Sequence, residues 1–176
     1  MELFIAPVKF HNMPLLQNLI EELSKRFSSD IKVIDLKLNI DNFFSAERKQ
    51  YFSTQIIAEA IKLTDKFDGK IVMLTDVDIF VPALTFIFGE AQLNGKHSIL
   101  SVCRLYEEFY SNISNKHLLL ERTIKEALHE LGHCFGLRHC LDWDCVMHSS
   151  PGIEEVDIKG ISYCRKCSLS IKDYRY

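Results

Sequence analysis

The amino-acid sequence predicts an α/β fold, with one domain, a mostly parallel sheet and a single antiparallel edge strand. Two observations carry this prediction. The first 38 residues follow a strand–helix–strand order, which places consecutive strands parallel with a right-handed crossover. Further along, a turn signal at 93–96 separates two short apolar runs, and such a turn joins antiparallel strands. With 176 residues, 47% of them hydrophobic, the chain has the size and composition of one ordinary domain.

The individual elements follow from the spacing of apolar residues. Apolar positions three and four residues apart predict helices, whereas alternating or continuous β-branched runs predict strands. The predicted strands cover 2–8, 31–38, 70–74, a short edge near 85–90, and 97–105, and the predicted helices cover 13–27, 47–67 and 116–135. Asp76 and Asp78 directly follow the strand at 70–74. Turn chemistry is the favoured interpretation of both, and a functional carboxylate or ion site stays open.

The composition changes near residue 140, from a helical pattern to a cysteine-rich tail with few aliphatic residues. We therefore divide the single domain, 1–176, into an N-terminal part, 1–136, with the sheet and the helices, and a C-terminal part, 137–176. Because the tail offers few side chains for a core, we expect bound metal to supply much of its folding free energy.

The charge and the hydropathy pattern exclude several functions. The formal net charge is −3, so the chain lacks the excess of Lys and Arg that a general nucleic-acid binder needs. No apolar run approaches the roughly 20 residues of a membrane span, and the apolar start at 1–8 is too short for a signal peptide. We expect a cytoplasmic monomer with no nucleic-acid or membrane partner. In that compartment the six cysteines are predicted to be metal ligands or free thiols rather than disulfides.

The strongest functional signal is the pattern H-E-x-x-H-x-x-G-x-x-H at 129–139. On a helix, His129 and His133 are one turn apart on the same face, so both imidazoles can reach one metal ion. Gly136 can adopt the left-handed conformation that ends a helix, and the turn then brings His139 back as a third ligand. Three imidazoles with an open fourth position are typical of a catalytic zinc. Glu130 leaves the helix beside these ligands and can hold a water molecule there.

A second candidate metal site follows in the tail. Cys140 and Cys145 form a C-x4-C pair, and Cys164 and Cys167 form a C-x2-C pair. Four thiolates in two pairs suit a closed tetrahedral structural zinc, while a disulfide within the second pair or unligated thiols are the alternatives. Neighbouring side chains of an extended segment point in opposite directions. His139 and Cys140 can therefore serve two different zinc ions from adjacent positions.

The remaining cysteines and histidines have no partners at ligand spacing. Five of them are expected to be small core residues or ordinary polar side chains: Cys103, Cys134, His11, His97 and His117. His148 lies close to the second cluster and directly follows Met147. A role for His148 near the metal stays open.

These motifs resemble those of the metzincin zinc peptidases. The histidine pattern with Met147 downstream is similar to the metzincin signature, in which a methionine forms a hydrophobic base beneath the zinc. The cysteine positions within 139–147 and 164–167 resemble the archaemetzincin family, which couples this zinc to a second, four-cysteine zinc. The resemblance implies a metzincin-like domain. Such a domain has a twisted, mostly parallel sheet, an antiparallel edge strand above the cleft, an active-site helix beneath it and a zinc-stapled C-terminal segment.

The motifs predict a zinc-dependent metallopeptidase with two Zn²⁺ per chain. Zinc acidifies its bound water, and Glu130 is predicted to act as the general base and to pass the proton to the leaving amine. A peptide or protein substrate is expected to lie along the edge strand, although the aromatic residues there are also typical of a core. Two alternatives stay open, namely a non-catalytic zinc-binding module with a vestigial site and a zinc amidase acting on a small molecule.

Overall fold

The computed structural model describes residues 2–27, 29–171 and Tyr174. In chain order, its regular elements are β1 (Glu2–Pro7), α1 (Met13–Arg26), β2 (Ile31–Val33), β3 (Phe44–Ser45), β4 (Gln50–Phe52), α2 (Ser53–Leu63), β5 (Gly69–Thr75), β6 (Ile79–Phe80), β7 (Gly89–Ala91), β8 (His97–Ser101), α3 (Lys116–Cys134), α4 (Ile153–Ile158) and α5 (Arg165–Ser168). Single turns of 3-10 helix lie at Asp41–Phe43 and Glu107–Phe109.

Five strands form the main sheet in the order β2-β1-β5-β8-β7. The pairs β2–β1, β1–β5 and β5–β8 are parallel, and β7 pairs antiparallel with β8, with Gly89 opposite Leu100. This arrangement confirms the predicted mostly parallel sheet with one antiparallel edge strand. A second, small sheet joins β3, β4 and β6.

Helices cover both faces of the main sheet, because side chains of a strand alternate between the two faces. On β5, Val72 and Leu74 pack into a core formed with α1, α3 and the C-terminal tail. Ile71 and Met73 pack into a second core, which α2 closes from the other face. Helix α3 lies against β7 and β8, at the edge of the sheet. In the part of the chain that the structure describes, no helix is both long and apolar enough to cross a membrane.

The predicted start of the second helix is wrong. Helix α2 begins at Ser53 instead of 47, because Gln50–Phe52 form the strand β4. The apolar residues there fit a helical spacing by coincidence, and a tertiary contact decides the structure. The Phe52 ring stacks on Phe80 of β6 with a centroid distance of 5.4 Å. Gln50–Phe52 therefore join the small sheet that borders the segment before β7, and 46–49 form the turn before them.

The predicted edge strand near 85–90 is displaced to Gly89–Ala91. The Arg48 guanidinium donates hydrogen bonds to the carbonyl oxygens of Leu84 and Thr85, at 2.5 and 3.0 Å. Those carbonyls are therefore not available for a ladder with β8. Two other strands are shorter than predicted and end at Val33 and Ser101. Cys103, placed in a strand by the sequence, lies in the turn that follows β8.

The C-terminal tail packs more tightly than its composition predicts. Val156 of α4, Tyr163 and Ile171 are buried in the core that α1 and α3 share. The Tyr163 hydroxyl donates a hydrogen bond of 2.5 Å to the carbonyl of Leu128 in α3. Side chains of the tail thus contribute to the core of the molecule. That bound metal supplies much of the folding free energy of the tail stays a prediction.

Candidate metal centre and active site

Helix α3 carries the first residues of the site, and both of its ends are held. The Asn115 side chain caps the start by accepting a hydrogen bond from the Leu118 N–H at 3.0 Å. At the end, the Lys70 ammonium donates to the carbonyl of Cys134 at 2.7 Å, where a cation also favours the negative end of the helix dipole. Gly136 follows with φ +91°, the left-handed region that the sequence predicts there.

The imidazoles of His129 and His133 converge as predicted, with their Nε2 atoms 3.1 Å apart. Each ring faces a carbonyl with its other nitrogen: His129 Nδ1 lies 2.9 Å from the Val146 oxygen, and His133 Nδ1 lies 2.8 Å from the Leu137 oxygen. Carbonyl oxygens only accept hydrogen bonds, so both protons are on Nδ1. Two unprotonated Nε2 lone pairs therefore face each other across a short gap, which a cation can fill.

His139 completes the histidine cluster, defined here as His129, His133 and His139. The ligand atoms of the three rings all lie within 4.8 Å of one another. His139 reaches this position because the chain turns back at Gly136, where Leu137 N–H donates to the Gly132 carbonyl at 2.9 Å. His139 is exposed and His129 is buried, so the cluster opens to solvent on one side. Burial lowers the pKa of all three imidazoles, which keeps them neutral and able to bind a cation.

Glu130 is buried beside the histidine cluster, directly under the edge strand. A Cβ atom added to Gly89 would lie 2.5 Å from Glu130 Oε1 and 2.7 Å from Cδ, so only glycine fits at this point of β7. The other carboxylate oxygen, Oε2, is buried and has no hydrogen-bond partner among the described residues. Burial, followed by the nearby charge of Glu126, raises the pKa of Glu130 well above its usual range. A carboxyl group in these surroundings is suited to exchange a proton.

Met147 packs against helix α3 at Gly132, the residue before His133. It is fully buried, and its Sδ would lie 2.2 Å from a Cβ atom added to Gly132. The missing side chain at Gly132 thus lets the methionine approach the helix closely. The carbonyl of Met147 also accepts a hydrogen bond from the Cys140 N–H at 2.9 Å, so it holds the segment that carries His139.

The four tail cysteines form a second cluster. The sulfur atoms of Cys140, Cys145, Cys164 and Cys167 all lie within 4.8 Å of one another, and the Cys140 and Cys164 sulfurs are 4.0 Å apart. None of the four is in a disulfide. Two thiolates on one tetrahedral zinc are separated by about 3.8 Å, given a Zn–S bond of about 2.3 Å. The cysteine cluster therefore fits a metal ion, and the Cys164 N–H donates to the Cys145 sulfur at 3.3 Å.

An open cleft of about 940 Å³ runs between β7 and α3 and exposes the histidine cluster. Its upper wall is the segment from Leu84 to Ala91, and its far wall includes Ser149, Ser150 and Pro151. Two charged residues that the sequence analysis missed lie at its floor. Lys159 Nζ donates to Glu126 Oε1 at 2.6 Å, and both side chains are almost completely buried. The position of Glu126 could have been predicted from the sequence, because it lies one helical turn before Glu130. No feature of the sequence predicts the position of Lys159.

The other candidate residues lie outside the two clusters. The Asp78 carboxylate accepts two hydrogen bonds from Arg104, both at 2.8 Å, and so fixes the chain before the upper wall of the cleft. Asp76 accepts a hydrogen bond from the His11 N–H at 2.6 Å. The His148 ring stacks on Trp143 with a centroid distance of 3.8 Å.

Two residues expected to be structural are buried and packed. The His97 Nε2 lies 2.6 Å from the Thr64 hydroxyl and its Nδ1 lies 2.8 Å from Gln92 Oε1. Cys134 is fully buried in α3. His97 is therefore a polar side chain with its hydrogen bonds made, and Cys134 is a small core residue, as the sequence predicts for both.

Helix α3 brings two imidazoles and a buried glutamate to an open cleft, and the loop after the helix adds a third imidazole. This arrangement is typical of metal-dependent hydrolases. The family model described as Peptidase family M54 matches residues 36–173. Archaemetzincin from Methanocaldococcus jannaschii is 38% identical over 98% of this chain and 94% of that protein. The chain belongs to this archaemetzincin family of zinc metallopeptidases.

Solved structures show the same fold. The crystal structure of archaemetzincin from Archaeoglobus fulgidus, complexed with malonate, matches with a TM-score of 0.81 and 33% identity, over 97% of this chain and 100% of that one. The archaemetzincin structure from Methanopyrus kandleri matches with a TM-score of 0.83 and 31% identity, over 97% of this chain and 93% of that one. The predicted fold class and family are therefore confirmed.

Proposed function

We propose that this chain is a metzincin-type peptidase that hydrolyses peptide bonds with Glu130 as its general base. In this proposal, His129, His133 and His139 hold a catalytic zinc, and the cysteine cluster holds a structural zinc. One observation carries the proposal. The Nε2 atoms of His129 and His133 lie 3.1 Å apart, and Glu130 on the same helix has a buried carboxylate oxygen without a hydrogen-bond partner among the described residues. Two nitrogens on one tetrahedral zinc lie about 3.3 Å apart, since each Zn–N bond is about 2.0–2.1 Å.

Each protein group has a chemical task. A zinc ion at the three imidazoles supplies a Lewis acid that lowers the pKa of a bound water and polarises a carbonyl. Glu130 accepts the proton of the attacking water on a carboxylate oxygen and then donates it to the nitrogen of the leaving amine. Burial raises the pKa of Glu130, and a raised pKa makes its carboxylate a stronger base for the proton of the water.

The edge strand orients the substrate. In the antiparallel pair with β8, the Phe88 carbonyl and the Gln92 N–H bond to β8. Backbone groups alternate in such a ladder, so those of Gly89 and Ala91 point outward, along the cleft. An extended peptide can add to this edge as a further strand and bring its carbonyl over Glu130.

The shape of the cleft favours a peptide over the small-molecule amidase alternative. An open groove with a free strand edge binds a length of main chain, whereas a small ligand is usually enclosed on most of its surface. The buried Glu130 also counts against a vestigial, purely binding site. Placing a carboxylate in low dielectric without a hydrogen bond to Oε2 costs stability, and a binding module gains nothing from that cost.

The test combines metal content with peptide cleavage. Inductively coupled plasma mass spectrometry of the wild type is expected to give two zinc ions per chain, and His129→Ala is expected to retain one. Glu130→Gln keeps the size and burial of the side chain but cannot take a proton. It should retain two zinc ions and cleave a broad peptide library at least about 10²-fold more slowly, because the loss of a general base costs about 10²–10⁴-fold.

His117→Ala serves as a matched control, since His117 lies at the exposed start of α3 and outside the cluster. It should retain both zinc ions and the full rate. Cleavage by Glu130→Gln at the wild-type rate would overturn the mechanism, and one zinc ion in the wild type would overturn the two-metal assignment.

A further inference from the structure

The floor of the cleft contains a buried ion pair that the proposed mechanism does not use. Lys159 Nζ lies 2.6 Å from Glu126 Oε1, with side-chain exposures of 0% and 4%. Both residues line the same cleft as His129 and Glu130. Removing two charges from water is costly even when they are paired, so this pair is not explained by stability alone.

The ion pair has hydrogen-bonding capacity that the described residues do not use. A lysine ammonium has three N–H donors, and the hydrogen bond to Glu126 is the one that Lys159 makes among the described residues. Ser150 lies on the adjoining wall, and its buried Oγ has no hydrogen-bond partner among those residues either. Lys159 and Glu126 on the floor and Ser150 on the wall thus have unused donors and acceptors in the lining of one cleft. In such surroundings an unpaired polar group is expensive.

We propose that Lys159, Glu126 and Ser150 form a recognition pocket for a carboxamide side chain, Gln or Asn, of the substrate beside the scissile bond. A carboxamide brings one acceptor for the Lys159 ammonium and two donors for the Glu126 carboxylate and the Ser150 hydroxyl. A carboxylate side chain is repelled by Glu126, and an ammonium side chain is repelled by Lys159. An apolar side chain leaves the donors and acceptors of the floor unpaired.

The direction of the edge strand assigns the pocket to one side of the bond. Gly89 lies over Glu130, and beyond β7 the Asn94 N–H donates to the carbonyl of His133 at 2.9 Å. Strand β7 thus runs towards the C-terminal end of α3, away from Glu126. A peptide that pairs antiparallel to β7 runs the opposite way, so the residue after the scissile bond lies over the pocket. This assignment rests on the proposed peptidase function.

The experiment uses matched peptides that differ only at the residue after the cleaved bond, with Gln, Glu, norleucine or Lys. For the wild type, kcat/KM for Gln should exceed that for each of the others by about tenfold or more. Glu126→Gln leaves the Lys159 charge uncompensated and should shift the preference towards Glu. The double variant Lys159→Met with Glu126→Leu removes both charges together, which proteins usually tolerate. It should shift the preference of the enzyme towards the norleucine peptide. Circular dichroism checks that each variant folds.

A second measurement separates the pocket from the reaction. Calorimetry gives the Kd of the same peptides for zinc-loaded Glu130→Gln, which binds without turnover, with and without the paired substitution at 126 and 159. Cleavage or binding with the same order of preference in all variants overturns the pocket. If no peptide is cleaved but the Gln peptide still binds tighter in a Lys159-dependent way, the pocket stands and the peptidase proposal fails.

Discussion

Replacing Gly89 by alanine should disable the reaction while leaving the metal in place. The added Cβ would lie 2.7 Å from both Cγ and Cδ of Glu130 and 2.5 Å from Oε1, whereas ordinary contacts begin at 3.4 Å. The carboxylate must therefore move by about 0.7–0.9 Å, the difference between these distances. A displacement of about 1 Å in a reacting group typically costs about 10²-fold in rate. We expect kcat to fall by about that factor.

The assay measures kcat and KM on one fluorogenic peptide, zinc by mass spectrometry and the melting temperature by differential scanning fluorimetry. Gly152→Ala is the matched control, because its added Cβ meets only the Glu155 carboxylate, at 3.2 Å. It should keep the wild-type kcat. If Gly89→Ala turns over at the wild-type rate, the close approach of β7 does not position Glu130. If it loses zinc as well as rate, the effect lies in the histidine cluster.

Two further substitutions probe the support of the site. Gly132→Ala places a Cβ 2.2 Å from Met147 Sδ, and this overpacking should lower the free energy of unfolding by about 1–3 kcal/mol. Denaturant melts at full zinc loading measure the change. An unchanged midpoint would contradict the contact. Cys145→Ser should reduce the zinc content from two ions to one and slow cleavage, because the segment that carries His139 is then held less firmly. The control Cys103→Ser should change neither quantity. Retention of both ions by Cys145→Ser would contradict the four-sulfur site.

The features that the sequence predicts correctly are those set by local geometry. His129 and His133 meet because one helical turn separates them, and Gly136 ends the helix because its backbone tolerates a positive φ. The convergence of the four cysteines is predictable from their paired spacing. Each of these inferences needs only the residue type and its distance along the chain.

The features that the sequence misses depend on residues far apart in the chain. The need for glycine at 89 comes from Glu130 on another element, and no local pattern contains that contact. Lys159 resembles an ordinary surface lysine in the sequence, although Glu126 holds it in the cleft floor. The predicted start of α2 is wrong for the same reason, because contact with Phe80 on a separate strand decides the conformation at Phe52.

In the proposed two-zinc arrangement, the adjacent residues His139 and Cys140 would couple the affinities of the two clusters for their ions. An ion at the cysteine cluster fixes Cys140 and so reduces the ordering cost of placing His139 on the other ion. Linkage requires the converse by the same factor, and coupling between sites typically amounts to about 1–3 kcal/mol, or 5–150-fold in affinity. Loss of the ion from either cluster should then weaken zinc binding at the other by the same factor.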